Sequence, residues 1–189
     1  MSENLDKITV LFLAAGKGKR MKSLTNIPKP LMNIGSQAAL AIELKPFLEF
    51  GFKNFSFILG NDGDLIEYYM RTNFGYLNLK FHYIKEALGT AHSLYQVRHL
   101  YPSNSIMVCH ADNIYLTEHF YNINLSEDLI FVNNDPELKP FAYVALKNNI
   151  ISSAVEKPKK FFSPYVISGL FYFCDSKIIG RVLSVLKLR

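Results

Sequence analysis

Residues 16–29 form a cationic segment that contains two glycines and directly follows a run of apolar residues. The apolar run, residues 8–15, is typical of a buried strand. The segment contains no acidic residue and five basic ones: Lys17, Lys19, Arg20, Lys22 and Lys29. Glycine lets backbone N–H groups approach an anion closely, and the cations neutralise its charge. The pattern therefore predicts a site for a polyphosphate, with a solvated basic turn as the alternative.

Further polar residues follow other apolar runs of the sequence. They are Gly89 with Thr90, Asp112, and Glu156 with Lys157. In open α/β sheets, ligands bind beyond the carboxyl ends of the strands. We therefore expect these residues to converge with segment 16–29 on one site.

Segment 16–29 matches neither of the two commonest phosphate-binding motifs. The Gly-x-x-x-x-Gly-Lys-Ser/Thr phosphate loop is absent, and Met21 occupies the third glycine position of a dinucleotide fingerprint. A zinc site is also disfavoured, because no His-Glu-x-x-His or Cys-x-x-Cys spacing occurs among the candidate ligands. Those candidates are His92, His99, Cys109, His110 and His119.

The segment instead resembles the signature of a known enzyme family. Residues 13–21 read Leu-Ala-Ala-Gly-Lys-Gly-Lys-Arg-Met, and residues 28–31 read Pro-Lys-Pro-Leu. Both are similar to the opening motifs of the sugar-1-phosphate nucleotidyltransferases, or NDP-sugar pyrophosphorylases. Later motifs of that family are matched in order by Leu-Gly-Thr-Ala at 88–91, Ala-Asp-Asn at 111–113, Glu-Lys-Pro at 156–158 and Ser-Gly at 168–169. The resemblance covers residues 8–173.

The resemblance implies a role for each matching position. Catalysis would depend on three cations, Arg20, Lys29 and Lys157. The nucleotide would be bound by Leu13, Ala14, Ala15, Gly16, Lys17, Gly18, Lys19, Glu86, Gly89 and Thr90. The phosphate acceptor would be bound by Asn113, Glu156, Ser168 and Gly169. Asp112 would hold Mg²⁺, the one cofactor that the resemblance implies.

The implied reaction is attack by a substrate phosphate on the α-phosphorus of a nucleoside triphosphate, giving an NDP-sugar and pyrophosphate. Two polyanions must be brought together, so catalysis would be mostly positioning and charge neutralisation. No general base is needed, because a phosphate is already ionised near pH 7. Two alternatives stay open. One is a cytidylyltransferase acting on a non-sugar phosphate such as phosphocholine or a phosphonate; the other is a nucleotide-binding homologue with weak catalysis.

Several positions depart from the family pattern. Residues 82–86 lack the glutamine with which many relatives read the base, so the base preference is open, and Ala111 stands where relatives have glycine. Relatives also supply a second metal-binding aspartate from a later strand, whereas Asp175 is the only acidic residue after Glu156 in this sequence. The ion would then rest on Asp112 and the phosphates, unless the sequence is a shortened form of a longer protein.

The elements that must position these residues are predicted from hydrophobic periodicity. Strands are predicted at residues 8–15, 54–59, 79–84, 105–109, 129–132, 141–146, 150–155 and 165–173. A hairpin turn is predicted at Asn148 and Asn149. Helices are predicted at 37–50, 64–73, 90–100 and 176–188, with Thr90 as the N-cap of the third and Pro46 as a kink or break in the first.

The alternation of strand and helix through residue 112 favours a parallel sheet with right-handed crossovers. We therefore predict an α/β protein with a single Rossmann-like three-layer domain and a mixed, mostly parallel sheet, of the nucleotide-diphospho-sugar transferase type. Residues 1–189 would form that domain. Residues 1–112 would be its nucleotide-binding half and residues 113–189 its acceptor-binding half.

Composition restricts the setting in which this domain acts. The chain of 189 residues is 49% hydrophobic and 20% charged, which favours a globular protein. Its net charge of +5 equals the five cations of segment 16–29, so a local anion site explains the charge and no nucleic-acid partner is expected. Apolar runs are too short for a membrane partner, and residues 1–7 do not resemble a signal peptide.

The two cysteines imply no disulfide framework, so we expect a cytoplasmic protein. The expected partners are a nucleoside triphosphate and a sugar 1-phosphate or other phosphate acceptor. Formation of a homo-oligomer stays open.

Overall fold

The computed structural model describes residues 5–16, 18, 25–100, 105–121, 123–135, 137, 139 and 141–179. Its strands are β1 Thr9–Ala14, β2 Asn33–Ile34, β3 Gln37–Ala38, β4 Asn54–Leu59, β5 Asn78–Tyr83, β6 Ile106–His110, β7 Leu129–Asn134, β8 Ala142–Lys147, β9 Ile150–Glu156 and β10 Tyr165–Phe173. Its α-helices are α1 Ala39–Phe50, α2 Gly63–Phe74 and α3 Thr90–Gln96. Short 3₁₀ turns occur at Leu5–Lys7, Lys29–Leu31, Arg98–Leu100 and Thr117–Phe120. Among the described helices, none is long and apolar enough to cross a bilayer.

Eight of these strands form one mixed sheet, in the order β5-β4-β1-β6-β10-β8-β9, with β7 also paired to β10. Strands β5, β4, β1 and β6 are parallel neighbours. Strand β10 is antiparallel to β6, β7 and β8, so β7 and β8 run in the same direction as β6. Only β9 and β10 run the other way within the described sheet, which confirms the mixed, mostly parallel prediction.

Helices pack on both faces of this sheet through apolar residues, which gives the domain three layers. On β1, Val10 and Phe12 face α1 and α2, whereas Leu11 faces α3. Alternate residues of a strand point to opposite faces, so a strand covered on both sides needs an unbroken apolar run. Phe12, Phe57 and Phe81 occupy matching positions on β1, β4 and β5, and their rings stack with centroids 5.3 and 5.5 Å apart.

The predicted strands are all present, with bounds that shift by at most two residues. The third helix is shorter than predicted, because α3 ends at Gln96 and a 3₁₀ turn follows. The prediction that Thr90 is its N-cap is wrong. Gly89 occupies that position, and the Thr90 hydroxyl is hydrogen-bonded to His110 instead. Pro46 does not divide α1, and the predicted helix at 176–188 lies largely outside the described residues.

The connection between β8 and β9 is the predicted two-residue hairpin. Asn148 and Asn149 have φ angles of 52° and 61°. Two consecutive residues in the left-handed region are what a type I′ turn requires, and asparagine tolerates that region better than most residues. The local sequence therefore determines this turn.

The start of α2 is packed closely against β4 and β5. A Cβ atom on Gly63 would lie 2.5 Å from the Cβ atom of Leu59 and 3.0 Å from the ring of Tyr83. We expect Gly63→Ala to lower the free energy of unfolding by roughly 1–3 kcal/mol, because α2 must shift away from the sheet. Urea denaturation measures the change. Thr72→Ala, an exposed position on the same helix, is the control and should change stability by less than about 0.5 kcal/mol.

Candidate active site

Lys29 and Asp112 form an ion pair at the carboxyl end of the parallel strands. Asp112 follows β6, and Lys29 begins a 3₁₀ turn directly after Pro28. The Nζ atom of Lys29 donates a hydrogen bond of 2.8 Å to Oδ2 of Asp112, across 83 residues of sequence. The two side chains are 47% and 45% exposed. Water screens such a pair, so it contributes at most about 1 kcal/mol and an incoming charged ligand can separate it at little cost.

This ion pair lines a pocket of about 620 Å³ at the edge of the sheet. Most residues predicted to bind the nucleotide also line it: Leu13, Ala14, Ala15, Gly16, Gly18, Gly89 and Thr90. The structure therefore brings Gly16, Gly18 and Lys29 together with Gly89, Thr90 and Asp112, as expected from their positions after strands. Lys17, Lys19 and Arg20 lie outside the described residues.

A second pocket, of about 260 Å³, adjoins the first and shares Gly16 and Lys29 with it. Its far side is formed by residues that the sequence analysis missed: Gly60, Asn61, Asp62, Gly63, Ile84 and Lys85. These residues directly follow β4 and β5, so their position after two predicted strands was the available signal. The two adjoining pockets give the site one larger and one smaller compartment.

The loop before α3 is held by side chains of that helix. The Nε2 atom of Gln96 donates a 2.6 Å hydrogen bond to the backbone carbonyl of Glu86 and lies 3.0 Å from Nδ1 of His92. Ser93 Oγ donates to the carbonyl of Gly89 at 3.0 Å. Glu86 does not line either pocket, so in this structure its described contact is made by its backbone.

His110, the last residue of β6, lies between the two halves of the site. Its Nε2 atom is 3.2 Å from the hydroxyl of Thr90, and it lines the larger pocket. Burial lowers the pKa of His110, against the opposing effect of Asp112, so the ring is neutral near pH 7. From the sequence, His110 was a candidate only for the disfavoured zinc site. Its position immediately before residues 111–113 was the signal for a site residue.

Three of the predicted acceptor-binding residues lie together on the other side of His110. The Nδ2 atom of Asn113 donates to the carbonyl of Ser168 at 2.7 Å, and Ser168 Oγ donates to the carbonyl of Phe131 at 3.0 Å. Gly169 follows within β10, at a register shift between β10 and β7, and has a φ angle of +80°. Asn113 and Ser168 line a separate pocket of about 240 Å³.

Glu156 and Lys157 do not line any of these three pockets. Glu156 ends the edge strand β9, and Lys157 Nζ lies 3.3 Å from its Oε1 atom, with both side chains largely exposed. Lys157 has a φ angle of 47°, and its backbone N–H donates to the carbonyl of Phe141. Lys157 therefore lies outside the pocket that Asp112 lines, which differs from the expected convergence.

Glu43, which was not predicted as a site residue, is a buried acid close to the ion pair. It lies on the face of α1 that carries Leu40, Leu44 and Phe47, with only 2% of its surface exposed. Its Oε2 atom has no hydrogen-bond partner among the described residues. Burial, reinforced by the charge of Asp112, raises the pKa of Glu43 to about 8. A charged residue within an otherwise apolar helical stripe was the signal in the sequence.

The donor set of the larger pocket fits Mg²⁺ bound through one carboxylate. Asp112 is the only acidic residue among the described residues that line this pocket. The described residues contain no group of three or more histidine, cysteine or acidic side chains that could enclose a metal ion. Asp175 cannot join Asp112, because β10 is antiparallel to β6 and Asp175 follows its end near Ile106. Mg²⁺ commonly takes one or two carboxylates and completes its shell with substrate phosphates and water.

The raised pKa of Glu43 predicts how stability varies with pH. The folded protein keeps this proton to about pH 8, whereas the unfolded chain loses it near 4.5. Binding of this proton therefore stabilises the folded state fully below pH 4.5, and the stabilisation is lost as the pH rises to about 8. Glu43→Gln removes this dependence. We expect its stability relative to the parent protein to rise by up to about 1.4 kcal/mol per pH unit in that window.

Urea denaturation at pH 5, 6, 7 and 8 measures this difference. Glu49→Gln, an exposed acid on the same helix, is the matched control and should show no comparable trend. A stability difference for Glu43→Gln that stays constant from pH 5 to 8 would contradict the prediction.

Gly169 provides a further prediction. A Cβ atom there would lie 2.7 Å from Asn113 Nδ2 and 3.0 Å from His110 Nδ1, at a backbone φ that disfavours side chains. We expect Gly169→Ala to cost roughly 2–4 kcal/mol of stability, measured by urea denaturation. Gly35→Ala has a similar φ of +64°, but no atom of the described residues lies within 4 Å of the new Cβ. It should cost only about 1 kcal/mol, and equal losses in both variants would mean that the contacts around Gly169 do not matter.

Comparisons with known proteins agree with this architecture. A family model described as nucleotidyl transferase matches residues 9–187. A comparison with the sequences of curated proteins found no match. A protein from Bacillus anthracis assigned as a glucose-1-phosphate thymidylyltransferase has a TM-score of 0.79 at 20% identity, over 95% of this chain and 76% of that one.

Two further solved structures are similar. The inositol-1-phosphate CTP transferase from T. maritima gives a TM-score of 0.75 at 17% identity, over 95% of this chain and 73% of its own. A nucleoside-diphosphate-sugar pyrophosphorylase from Vibrio cholerae gives 0.77 at 17% identity, over 96% and 79%. At these identities the structures establish the fold, and the family model establishes membership. The chain belongs to the nucleotidyl transferase family.

Proposed function

We propose that this protein transfers a nucleoside monophosphate from a nucleoside triphosphate to a sugar 1-phosphate, releasing pyrophosphate. The observation that carries the proposal is the Lys29–Asp112 pair in the larger pocket, beside the backbone of Gly16, Gly18 and Gly89. The pair offers one cation for phosphate oxygens and one carboxylate for a metal ion. Glycine backbone beside it leaves room for the phosphates to approach.

The proposed reaction is a displacement at the α-phosphorus. An oxygen of the acceptor phosphate forms the new P–O bond, and the bond between the α-phosphorus and the α,β-bridging oxygen breaks. That oxygen leaves with its electron pair as part of pyrophosphate. Lys29 would neutralise charge on the α-phosphate, and Arg20 would make a forked contact to the triphosphate. Both act by electrostatic stabilisation of charge rather than by proton transfer.

Asp112 would hold Mg²⁺, which neutralises phosphate charge when it is bound. For Asp112 to do so, its carboxylate must leave Lys29, and the half-exposed position of the pair makes this separation inexpensive. Asn113, Ser168 and Gly169 would contact the acceptor, and Glu156 would bind one of its hydroxyl groups. Lys157 would orient the acceptor phosphate, which requires the segment after β9 to approach the larger pocket.

The names of the similar structures support a phosphate monoester of a polyol as acceptor. One is assigned to glucose 1-phosphate and another acts on inositol 1-phosphate. The second of these uses CTP, so cytidylyl transfer to a phosphate other than a sugar 1-phosphate is the second candidate. Ile84 and Lys85 line the smaller pocket, which would receive the base.

Substitution of the ion pair tests the proposed reaction. We expect Lys29→Met and Asp112→Asn each to reduce the rate of pyrophosphate release on the order of 10²-fold, because each removes one electrostatic contact to the phosphates. The assay uses a panel of sugar 1-phosphates, inositol 1-phosphate and phosphocholine with each of the four triphosphates and Mg²⁺. Lys45→Met is the control, since Lys45 is exposed and pairs only with Glu49 among the described residues.

The outcomes separate the candidate functions. Release of pyrophosphate only with CTP and a non-sugar phosphate would favour the second candidate. Triphosphate binding without pyrophosphate release, unchanged by Asp112→Asn, would indicate a nucleotide-binding homologue. Absence of both binding and release would refute the proposed function.

A further inference from the structure

The proposed function gives Lys29 and Asp112 different tasks, although they are paired in the structure. Lys29 would face the triphosphate while Asp112 would turn to the metal ion. Once the two separate, the ammonium group of Lys29 loses its one described partner. A long, flexible lysine needs a second acceptor to stay in place, because fixing its side chain costs up to about 2 kcal/mol of conformational entropy.

Helix α1 places a hydrogen-bond acceptor close to Lys29. The helix packs against the turn Lys29–Leu31, and the N–H of Ala39 at its start donates to the carbonyl of Met32 at 2.8 Å. One turn into the helix lies Glu43, which is buried and whose Oε2 atom has no partner among the residues that the structure describes. Buried polar atoms are nearly always paired, and an orphan costs about 1–3 kcal/mol. An orphan acceptor beside a site is therefore evidence for a partner that arrives in another state.

The neighbours of Glu43 leave few candidates for that partner. Cys109 donates its Sγ–H to the carbonyl of Leu11, and the hydroxyl of Tyr115 is directed to the carbonyl of Gly169. Of the described charged groups that act on Glu43, Asp112 is an anion and Lys29 is the cation. Lys29 is thus the described cation that acts on Glu43, and its ammonium group becomes available as a donor once Asp112 releases it.

We propose that Glu43 is a positioning residue, whose carboxyl oxygen accepts a hydrogen bond from Lys29 and holds it toward the triphosphate when Asp112 turns to the metal ion. This proposal rests on the proposed function. A carboxyl group keeps a carbonyl oxygen as acceptor whether or not it carries a proton. The role therefore requires an acceptor at this position and does not require a charge.

The two substitutions Glu43→Leu and Glu43→Gln test this role. Glu43→Leu removes the acceptor and also the buried orphan, so we expect unchanged or higher thermal stability together with a roughly tenfold lower kcat for pyrophosphate release. Glu43→Gln keeps a carbonyl oxygen and should retain kcat within about twofold of the parent. A residue that only supports the fold would not lower kcat while stability is preserved.

A double-mutant cycle with Lys29→Met identifies the residue through which Glu43 acts. We expect Glu43→Leu to cause no further loss of kcat when Lys29 is already methionine, because coupled residues are non-additive. The proposal would be overturned if Glu43→Leu kept the kcat of the parent protein. It would also be overturned if Glu43→Leu lowered kcat tenfold both in the parent and in the Lys29→Met background. The control is Glu49→Gln on the same helix, which should leave kcat unchanged.

Binding of tripolyphosphate with Mg²⁺, measured by calorimetry, separates this proposal from the proposed function. We expect weaker binding by Glu43→Leu and no further weakening in the Lys29→Met background. Tighter binding by Glu43→Leu would mean that Glu43 merely repels the anion, and it would overturn the positioning role. A parent protein that binds tripolyphosphate but never releases pyrophosphate would refute the proposed function alone, and the binding cycle would still decide the role of Glu43.

Discussion

Parallel pairing of β1 with β4 on one side and β6 on the other determines where the described site residues can lie. The register places Leu13 beside Ile58 and His110, so three strands end at one edge. The segments that leave this edge are packed tightly, since a Cβ atom on Gly60 would lie 2.9 Å from the carbonyl oxygen of Ala15. Three stretches that are distant in sequence thereby line one pocket. Pairing of β6 with β1 places Asp112, which follows β6, at the edge of the sheet where it contacts Lys29.

The ionisable groups at this edge do not favour the stability of the folded protein. Glu43 occupies a position on α1 that an apolar residue would fill at no electrostatic cost, and burial raises its pKa to about 8. The Lys29–Asp112 pair gives little in return, because both side chains are nearly half exposed. Proteins commonly retain such costly groups where a ligand needs them. The combination of a weak exposed pair and a buried unpaired carboxyl oxygen is consistent with a site that exchanges partners on binding a polyanion.

Much of the fold followed from hydrophobic periodicity, because both faces of the parallel strands are covered. The apolar runs at 54–59 and 165–173 match β4 and β10 residue for residue. Interactions between distant residues limited the prediction elsewhere. Thr90 is a residue type that often caps helices, yet its hydroxyl is hydrogen-bonded to His110 at the end of β6. Periodicity reports which face of an element is buried, but it does not report which polar partner a side chain finds across the sheet.

The sequence by itself determined the family motifs, their order, the α/β class and the positions of most strands. These properties depend on residue types and on local spacing, which a linear pattern contains. Only the tertiary structure decided that Lys29 pairs with Asp112, that Glu43 Oε2 is buried without a partner in the described part of the chain, and that Lys157 lies apart from the larger pocket. Each of these depends on the distance between residues far apart in the chain, which is set by strand order and register rather than by any local signal.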